Sequence, residues 1–286
     1  MLVNLNEVLK KAQKEHYAVG LFNATDSDML EGVISAAEEL NSPIIIGTAE
    51  VLLPYGELSL IAPGMLNAAK NAKVPVVLHY DHGLTKERCL EALNLGFSSI
   101  MFDGSLGDEE ENIKATKEMV EIAHSFGATV EGEIGHVGNA DVGDGEKDDM
   151  YTTPQEATDF IEKTGVDALA IAIGTAHGAY TKKPKLDIER LKEIRAVTNT
   201  PLVLHGGSGL SDDDFKNTIR EGIAKVNIFT DLCVAGENAM KKALSEGKSY
   251  LEIRNEKVNA IKKPEIIPGK KAAKRKMLLF GSNDKA

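Results

Sequence analysis

Eight short apolar runs, separated by amphipathic segments, repeat along most of this 286-residue chain. The runs occupy residues 18–22, 43–47, 74–80, 98–103, 128–134, 166–174, 200–205 and 223–229. They are rich in Val, Ile and Leu without alternation, which indicates parallel strands that are covered on both faces. The length is near the roughly 250 residues typical of a (β/α)8 barrel. We therefore predict an α/β fold, with one (β/α)8 TIM barrel domain over residues 1–286 and a C-terminal helical extension.

An open, doubly wound sheet is the alternative fold for alternating strands and helices. Such a sheet normally carries a glycine-rich turn after its first strand. Here the first apolar run is followed by Asn23, Ala24 and Thr25. The barrel is therefore the favoured fold.

Charge and composition exclude several functional classes. The chain has 33 Lys and Arg residues against 44 Asp and Glu residues, a formal net charge of -11. This excess argues against a nucleic-acid or anionic-membrane partner. Cys89 and Cys233 have no paired spacing, so we expect neither a disulfide framework nor a thiolate metal cluster. Nowhere do eighteen apolar residues run together, as they would in a transmembrane helix. We expect a cytoplasmic protein with a small-molecule substrate.

Three histidines each follow a short apolar run and meet glycine. His82 lies in VVLHYDHG, His177 in IAIGTAHG and His205 in LVLHGGSG. The carboxyl ends of parallel strands lie on one face of a barrel, so these imidazoles can converge on one ion. Three neutral imidazoles with one open position are a standard catalytic arrangement for zinc. The spacing therefore predicts a zinc site.

Other polar residues also mark the ends of the runs. They are Asn23, His79, Asp81, Asp103, Glu131, Glu133, Asn227 and Asp231. A helix cap or a hydrogen-bonded core position would explain any one of them, but together they describe a pocket. For His79, support of the metal and simple packing stay equally open.

Asp81 and His82 are adjacent, and successive side chains of a regular strand point to opposite faces. They can share one site only where the strand is ending and the backbone turns. We expect Gly83 to permit this turn.

Phosphate capture needs donors without bulk. Gly206, Gly207 and Ser208 can present consecutive backbone N–H groups and a hydroxyl, and SDDD at 211–214 can cap a helix whose positive end faces the anion. Taken alone, the Gly-Gly-Ser-Gly motif is equally explained by an ordinary turn.

The ordered motifs YAVGLFN, HYDHG, SSIMFDGS, VEGEIGHVG, YTTP, AIGTAHGAY, LHGGSG, KVNIFTD and FGSNDKA run along nearly the whole chain. In these motifs the chain resembles the class II, metal-dependent ketose-bisphosphate aldolases, which include fructose- and tagatose-1,6-bisphosphate aldolases. The resemblance implies zinc-dependent, reversible cleavage of a ketose 1,6-bisphosphate to dihydroxyacetone phosphate and glyceraldehyde 3-phosphate. Fructose 1,6-bisphosphate is the first expectation, and tagatose 1,6-bisphosphate or another phosphorylated sugar is the alternative.

The resemblance also implies roles for individual residues. Asp81 is the expected catalytic acid/base, and the expected zinc ligands are His82, His177 and His205. Asp103 and Glu133 match positions that hold a second metal position in some members or orient the zinc ligands in others. The expected substrate-binding residues are Asn23, Gly178, Gly206, Gly207, Ser208, Asn227, Ile228, Phe229 and Thr230. A monovalent cation, Na⁺ or K⁺, is common beside the substrate phosphate in the family.

One loop departs from the family pattern. Members carry Gly-Gly-x-Glu-Asp after the fifth strand, and the glutamate is assigned proton transfer at C3. Here the loop reads GHVGNADVGDGEKDDMYTTP. Alignment from Gly138 places Asp141 at the glutamate position, whereas Glu146 restores the residue type with shifted spacing. We expect Glu146 to be the second catalytic residue; Asp141, or a solvated acidic loop without a catalytic part, are the alternatives.

Two other mechanisms stay open. A Schiff-base aldolase on the same barrel would use Lys225, although a lysine at the start of a strand can also be an exposed charge. A non-catalytic sugar-phosphate binding protein is the other alternative.

The resemblance also concerns assembly. Arg254 lies where the family brings an arginine towards a neighbouring subunit's site. The family expectation for the oligomeric state is a homodimer or homotetramer.

Overall fold

Eight parallel strands close into a barrel in the computed structural model. The model describes residues 1–135, 138–139, 151–178, 184–249 and 262–286, with the backbone alone at residues 138, 139, 177 and 262–267. The strands are β1 (Val19–Asn23), β2 (Ile44–Ala49), β3 (Val76–Gly83), β4 (Ser99–Phe102), β5 (Thr129–Ile134), β6 (Ala168–Ile171), β7 (Leu202–Leu204) and β8 (Ile223–Ile228). Each pairs with the next, and β8 pairs with β1. The predicted barrel is confirmed, each predicted run overlaps one strand, and closure excludes the open sheet.

Helices surround the barrel and follow its strands along the chain. They are α1 (Leu5–Glu15), α2 (Ser27–Glu39), α3 (Leu58–Asn71), α4 (Lys86–Asn94), α5 (Glu109–Ser125), α6 (Pro154–Thr164), α7 (Ile188–Val197), α8 (Asp212–Arg220), α9 (Thr230–Ser245) and α10 (Lys262–Phe280). Within the described part of the chain, no helix is both long and apolar enough to cross a membrane.

The barrel interior is apolar at its amino-terminal end. Val19, Val77 and Val203 form a buried cluster there with Leu5 and Leu9 of α1. Helix α1 therefore covers this end of the barrel with its apolar face. The opposite, carboxyl end is left for polar side chains.

Strand β5 illustrates how the sequence divides the two faces of the sheet. Val130 and Ile134 pack in the core between the sheet and the outer helices. Glu131 and Glu133 alternate with them and are also buried. Because side chains alternate along a strand, both glutamates face the barrel interior.

The backbone turns at the end of β3, as predicted, but the residue that turns is His82. Its φ is 44°, in the left-handed region, and the pairing of β3 with β4 shifts between Tyr80 and Gly83. Gly83 has a different role from the expected one. A Cβ atom there would lie 2.4 Å from Cys89 Sγ and 2.7 Å from the Met101 carbonyl oxygen. Close packing, rather than a positive φ, requires glycine at this position.

The basic C-terminal segment forms the closing helix α10, which packs on α2 and α9. Lys270 Nζ lies 2.7 Å from Glu39 Oε2, and Lys276 Nζ lies 2.6 Å from Asp231 Oδ2. The basic residues of this helix thus meet acidic residues of the barrel surface.

We expect Gly83→Ala to lower the free energy of unfolding by about 1–3 kcal/mol, because a methyl group there overpacks the β3–α4 contact. Gly64→Ala is the matched control. Gly64 is exposed within α3, and a Cβ atom there has no heavy atom within 4 Å. This change should raise stability by about 0.5–1 kcal/mol through helix propensity. Urea unfolding of both variants measures the difference, and equal stabilities would contradict the packing argument.

Candidate active site

Most of the polar residues predicted to form a pocket converge at the carboxyl end of the barrel, whereas Asp231 pairs instead with Lys276 of α10. The converging residues are Asn23 on β1, Asp81 and His82 on β3, Asp103 after β4, Glu131 and Glu133 on β5, His205 after β7 and Asn227 on β8. Except for His82 and Asp103, which are partly buried, all of them are buried. Six strands therefore contribute to one cluster.

Two imidazoles lie at the centre of the cluster. The rings of His82 and His205 are 4.6 Å apart between centroids and are inclined at 77°. Asp103 Oδ2 lies 2.7 Å from His82 Nδ1, and Glu131 Oε1 lies 2.8 Å from His205 Nε2. A carboxylate on one ring nitrogen fixes the ring and directs the other nitrogen to a metal. Nε2 of His82 and Nδ1 of His205 are thus the nitrogens that could bind a metal, and Glu133 Oε2 lies 3.3 Å from His205 Nδ1.

The donor set fits a metal ion. Ligand atoms of Asp81, His82 and His205 lie within 4.8 Å of one another, as do those of His82, Asp103 and Glu133. Imidazole nitrogen and carboxylate oxygen are donors that zinc accepts. Asp103 orients His82 directly, so the geometry matches the ligand-orienting role at this position.

The third predicted ligand, His177, is described by its backbone only. It lies in a two-residue strand, Ala176–His177, parallel to Gly138–Asn139. A Cβ atom on Gly206 would lie 2.4 Å from the Ala176 carbonyl oxygen. The backbone before His177 thus adjoins the loop that carries His205.

Negative charge predominates around the imidazoles. Burial opposes the charged form of His82, but the carboxylates of Asp81, Asp103 and Glu133 outweigh it and raise the pKa of this imidazole to about 10. Burial, with the charge of Asp103, raises the pKa of Glu133 to about 8. The surrounding carboxylates therefore stabilise a positive charge at this position. They would stabilise a bound divalent metal in the same way.

Asp81 is held by two amides. Asn23 Nδ2 donates to Oδ2 at 2.8 Å, and Asn227 Nδ2 donates to Oδ1 at 3.0 Å. Burial opposes charge on Asp81, but His82 and Lys225 outweigh it and hold the pKa of this carboxyl well below its usual range. The side chain is therefore an oriented carboxylate.

His79 lies beneath Asp81 in the barrel and is fully buried. Its Nδ1 is 2.8 Å from Ser99 Oγ, and its Nε2 is 3.8 Å from Asp81 Oδ1. Burial and the nearby charge of Lys225 lower the pKa of His79 to about 3. His79 is therefore a neutral imidazole that packs beneath the carboxylate of Asp81.

The predicted phosphate loop lies against the start of α9. Ser208 Oγ accepts hydrogen bonds from the backbone N–H groups of Phe229, at 3.3 Å, and Asp231, at 3.4 Å. Gly206 has a φ of 65°, and a Cβ atom on Gly207 would lie 2.9 Å from the Asn227 carbonyl oxygen. The loop thus needs both glycines to approach its neighbours.

Two details of the predicted phosphate site need correction. The helix end beside Ser208 is that of α9, whereas α8 carries Asp212, Asp213 and Asp214 in its first turn, and these carboxylates oppose an anion. Ser211 does cap α8, as predicted. Ile228 packs in the core between sheet and helices. Only its backbone can therefore reach a substrate.

Two other predicted substrate-binding residues lie at the ends of elements. Gly178 is half-buried with a φ of 95°, and Thr230 begins α9.

Sequence reasoning missed the partnership of Glu131 and Lys225. Lys225 is fully buried, and its Nζ lies 2.8 Å from Glu131 Oε2. It is therefore not an exposed charge at the start of a strand. The sequence does contain an indication of it. Lys225 and Asn227 are two residues apart, as are Glu131 and Glu133, and this spacing places the members of each pair on the same strand face.

Three residues to which the sequence analysis gives a possible role lie outside the described residues. They are Asp141, Glu146 and Arg254.

Comparisons with known proteins agree with this geometry. The family model described as fructose-bisphosphate aldolase class-II matches residues 3–285. A protein of Escherichia coli K12 named "Uncharacterized protein YdjI" is 41% identical over 287 residues, and the fructose-bisphosphate aldolase of Thermus caldophilus is 39% identical over 311 residues; both matches cover 100% of both chains. The crystal structure of the YdjI aldolase from E. coli K12 superposes with a TM-score of 0.89 at 39% identity, covering 100% of both chains.

We expect Asp103→Asn to weaken metal affinity by about 10–100-fold, because the amide no longer supplies the charge that orients His82. Asp167→Asn is the matched control, since Asp167 Oδ2 lies 2.9 Å from Nε2 of His124, an aspartate–histidine pair outside the cluster. The metal affinity of the Asp167→Asn variant should equal that of the wild type. Competition with a chromogenic zinc chelator measures both variants, and equal affinities would show that Asp103 does not orient a ligand.

Proposed function

The chain belongs to the class-II fructose-bisphosphate aldolase family and is a metal-dependent lyase, and we propose that it cleaves fructose 1,6-bisphosphate reversibly to dihydroxyacetone phosphate and glyceraldehyde 3-phosphate, with zinc as the metal. The observation that carries this proposal is the carboxylate of Asp81, held by two amides beside the His82–His205 pair. Such a carboxylate is placed to exchange a proton with a substrate next to a metal.

Zinc would be held by His82, His177 and His205. When bound, it supplies Lewis-acid stabilisation of the negative charge that develops on the substrate carbonyl as the carbon–carbon bond breaks. Asp103 and Glu131 would orient two of these ligands through Nδ1 of His82 and Nε2 of His205. Asp103 and Glu133, with His82, are also the residues that would hold a second metal position.

Asp81 takes the proton from the C4 hydroxyl as the C3–C4 bond breaks, and returns it in the condensation direction. Each carboxylate oxygen can accept more than one hydrogen bond. The amides of Asn23 and Asn227 therefore hold Asp81 without using all of its acceptor sites. Its ionised form is the one that can receive the proton.

The dihydroxyacetone phosphate half would bind along the loop after β7. Gly206, Gly207 and Ser208 offer backbone N–H groups and a hydroxyl, and the start of α9, from Phe229 to Thr230, adds the positive end of a helix. Asn23, Gly178, Asn227 and the Ile228 backbone complete the proposed substrate contacts, and Na⁺ or K⁺ would lie beside the phosphate.

Glu146 is the proposed donor and acceptor of the C3 proton, with Asp141 as the alternative. We further propose a cytoplasmic homodimer or homotetramer. The family resemblance of the surrounding motifs supports these assignments.

The geometry disfavours a Schiff-base mechanism. The Lys225 ammonium is fully buried and lies 2.8 Å from Glu131 Oε2 and 2.7 Å from Asn227 Oδ1. A Schiff base needs a deprotonated amine that a substrate carbonyl can reach. The retention of Asp81 beside two metal-directed imidazoles likewise disfavours a purely binding role.

We expect the purified protein to cleave fructose 1,6-bisphosphate, to lose activity in EDTA and to regain it with zinc. Tagatose 1,6-bisphosphate, assayed in parallel, should be cleaved more slowly. A faster rate with tagatose bisphosphate would reassign the sugar, and cleavage of neither sugar by the zinc-loaded protein would contradict the substrate proposal. Inactivation by borohydride in the presence of substrate would favour the Schiff-base alternative.

A further inference from the structure

The lysine inside the barrel is unusual because a buried ammonium is costly unless it is paired and hydrogen bonded. Lys225 has no solvent exposure. Its Nζ lies 2.8 Å and 3.1 Å from the two carboxylate oxygens of Glu131, and it donates to Asn227 Oδ1 at 2.7 Å. Its partners connect it to both functional parts of the site, the base and a metal ligand.

The first connection runs through Asn227. An ammonium group can donate but not accept, so the amide must turn its oxygen towards Lys225. The amide nitrogen then faces the opposite side, where Nδ2 lies 3.0 Å from Asp81 Oδ1. Without Lys225, the amide could present its oxygen to Asp81, and two acceptors would then face each other.

The second connection runs through Glu131. Lys225 Nζ lies within 3.1 Å of both carboxylate oxygens of Glu131, so its charge balances that of the buried carboxylate. The Glu131 carboxylate lies 2.8 Å from His205 Nε2, closer than the 3.3 Å between Glu133 Oε2 and His205 Nδ1, and therefore selects the tautomer that carries its proton on Nε2. Nδ1 of His205 is thereby directed away from Glu131.

We propose that Lys225 is a positioning residue that fixes both the amide of Asn227 against Asp81 and the tautomer of His205. This inference rests on the proposed aldolase function, since Asp81 and His205 are the base and a metal ligand of that reaction. It gives the buried lysine a role that needs neither contact with substrate nor a covalent intermediate.

The test begins with Lys225→Met, which keeps the length of the side chain but removes its charge and its donors. We expect kcat for fructose 1,6-bisphosphate cleavage at saturating zinc to fall by about 100-fold or more, the scale of a misplaced general base. KM should change by less than about threefold, because no substrate contact is removed. An unchanged kcat would overturn the proposal.

A double-mutant cycle with Asn227→Ala separates positioning from general destabilisation. Because Lys225 acts partly through Asn227 and partly through Glu131, the double variant should lose less rate than the product of the two single losses. Multiplied rate losses would mean that the two residues act independently and would overturn the proposal. Should Lys225→Met fail to fold, Lys225→Gln enters the same cycle and is judged by the same criterion.

Lys276→Met is the stability control, because Lys276 is another buried lysine paired with a carboxylate, at 2.6 Å from Asp231 Oδ2. Its thermal unfolding shows what the loss of such a pair costs the fold. If Lys225→Met and Lys276→Met lose the same stability and the same kcat, destabilisation explains the rate loss and positioning is refuted.

Nuclear magnetic resonance gives a readout that does not depend on turnover. With ¹⁵N-labelled asparagine, the side-chain amide signals of Asn227 are identified by their loss in Asn227→Ala. We expect them to shift and to lose protection from solvent exchange in Lys225→Met; unchanged signals would overturn the proposal. Failure of the wild type to cleave a sugar bisphosphate would refute the proposed function, while these amide signals would still decide the role of Lys225.

Discussion

Buried negative charge at the carboxyl end of the barrel is the constraint on which the site depends. Asp81, Asp103, Glu131 and Glu133 lie within one cluster, and Lys225 is the lysine that contacts it among the described side chains. Uncompensated buried charges are expensive, so each carboxylate must find amides, imidazoles or a cation. The amides hold Asp81, the imidazoles meet Asp103 and Glu131, and a divalent metal would balance the remainder. One electrostatic requirement thus links folding, metal binding and catalysis.

The barrel interior separates support from chemistry along its axis. The amino-terminal end is filled by apolar side chains such as Val77 and Val203, which α1 covers. Above them lies a polar layer that contains His79 and Lys225, and the residues proposed to act on substrate lie above that layer. Asp81 and His82 lie on β3 and His205 directly follows β7, whereas the proposed phosphate contacts come from a loop and a helix start. This division suits a reaction that needs a fixed base beside a metal.

The sequence predicted the barrel well because each apolar run corresponds to one strand, and it predicted the site because polar residues mark strand ends. The third predicted strand ends at residue 80, whereas β3 continues through Asp81 and His82 to Gly83. An apolar run cannot reveal a strand whose last residues are polar. The lysine–glutamate pair was missed for another reason. Period-two spacing shows which face a side chain occupies, but strand register across the barrel determines which distant residue it meets. Period-two spacing from Asn227 does indicate that Ile228 faces the outer core.

Anomalous diffraction from crystals of the zinc-loaded protein would test the account most directly, by locating the metal with data collected on both sides of the zinc absorption edge. We expect one zinc peak about 2.0–2.1 Å from ring nitrogens of His82, His177 and His205, with Asp81 beside it. A main peak held by Asp103 and Glu133, with no contact to His177, would contradict it.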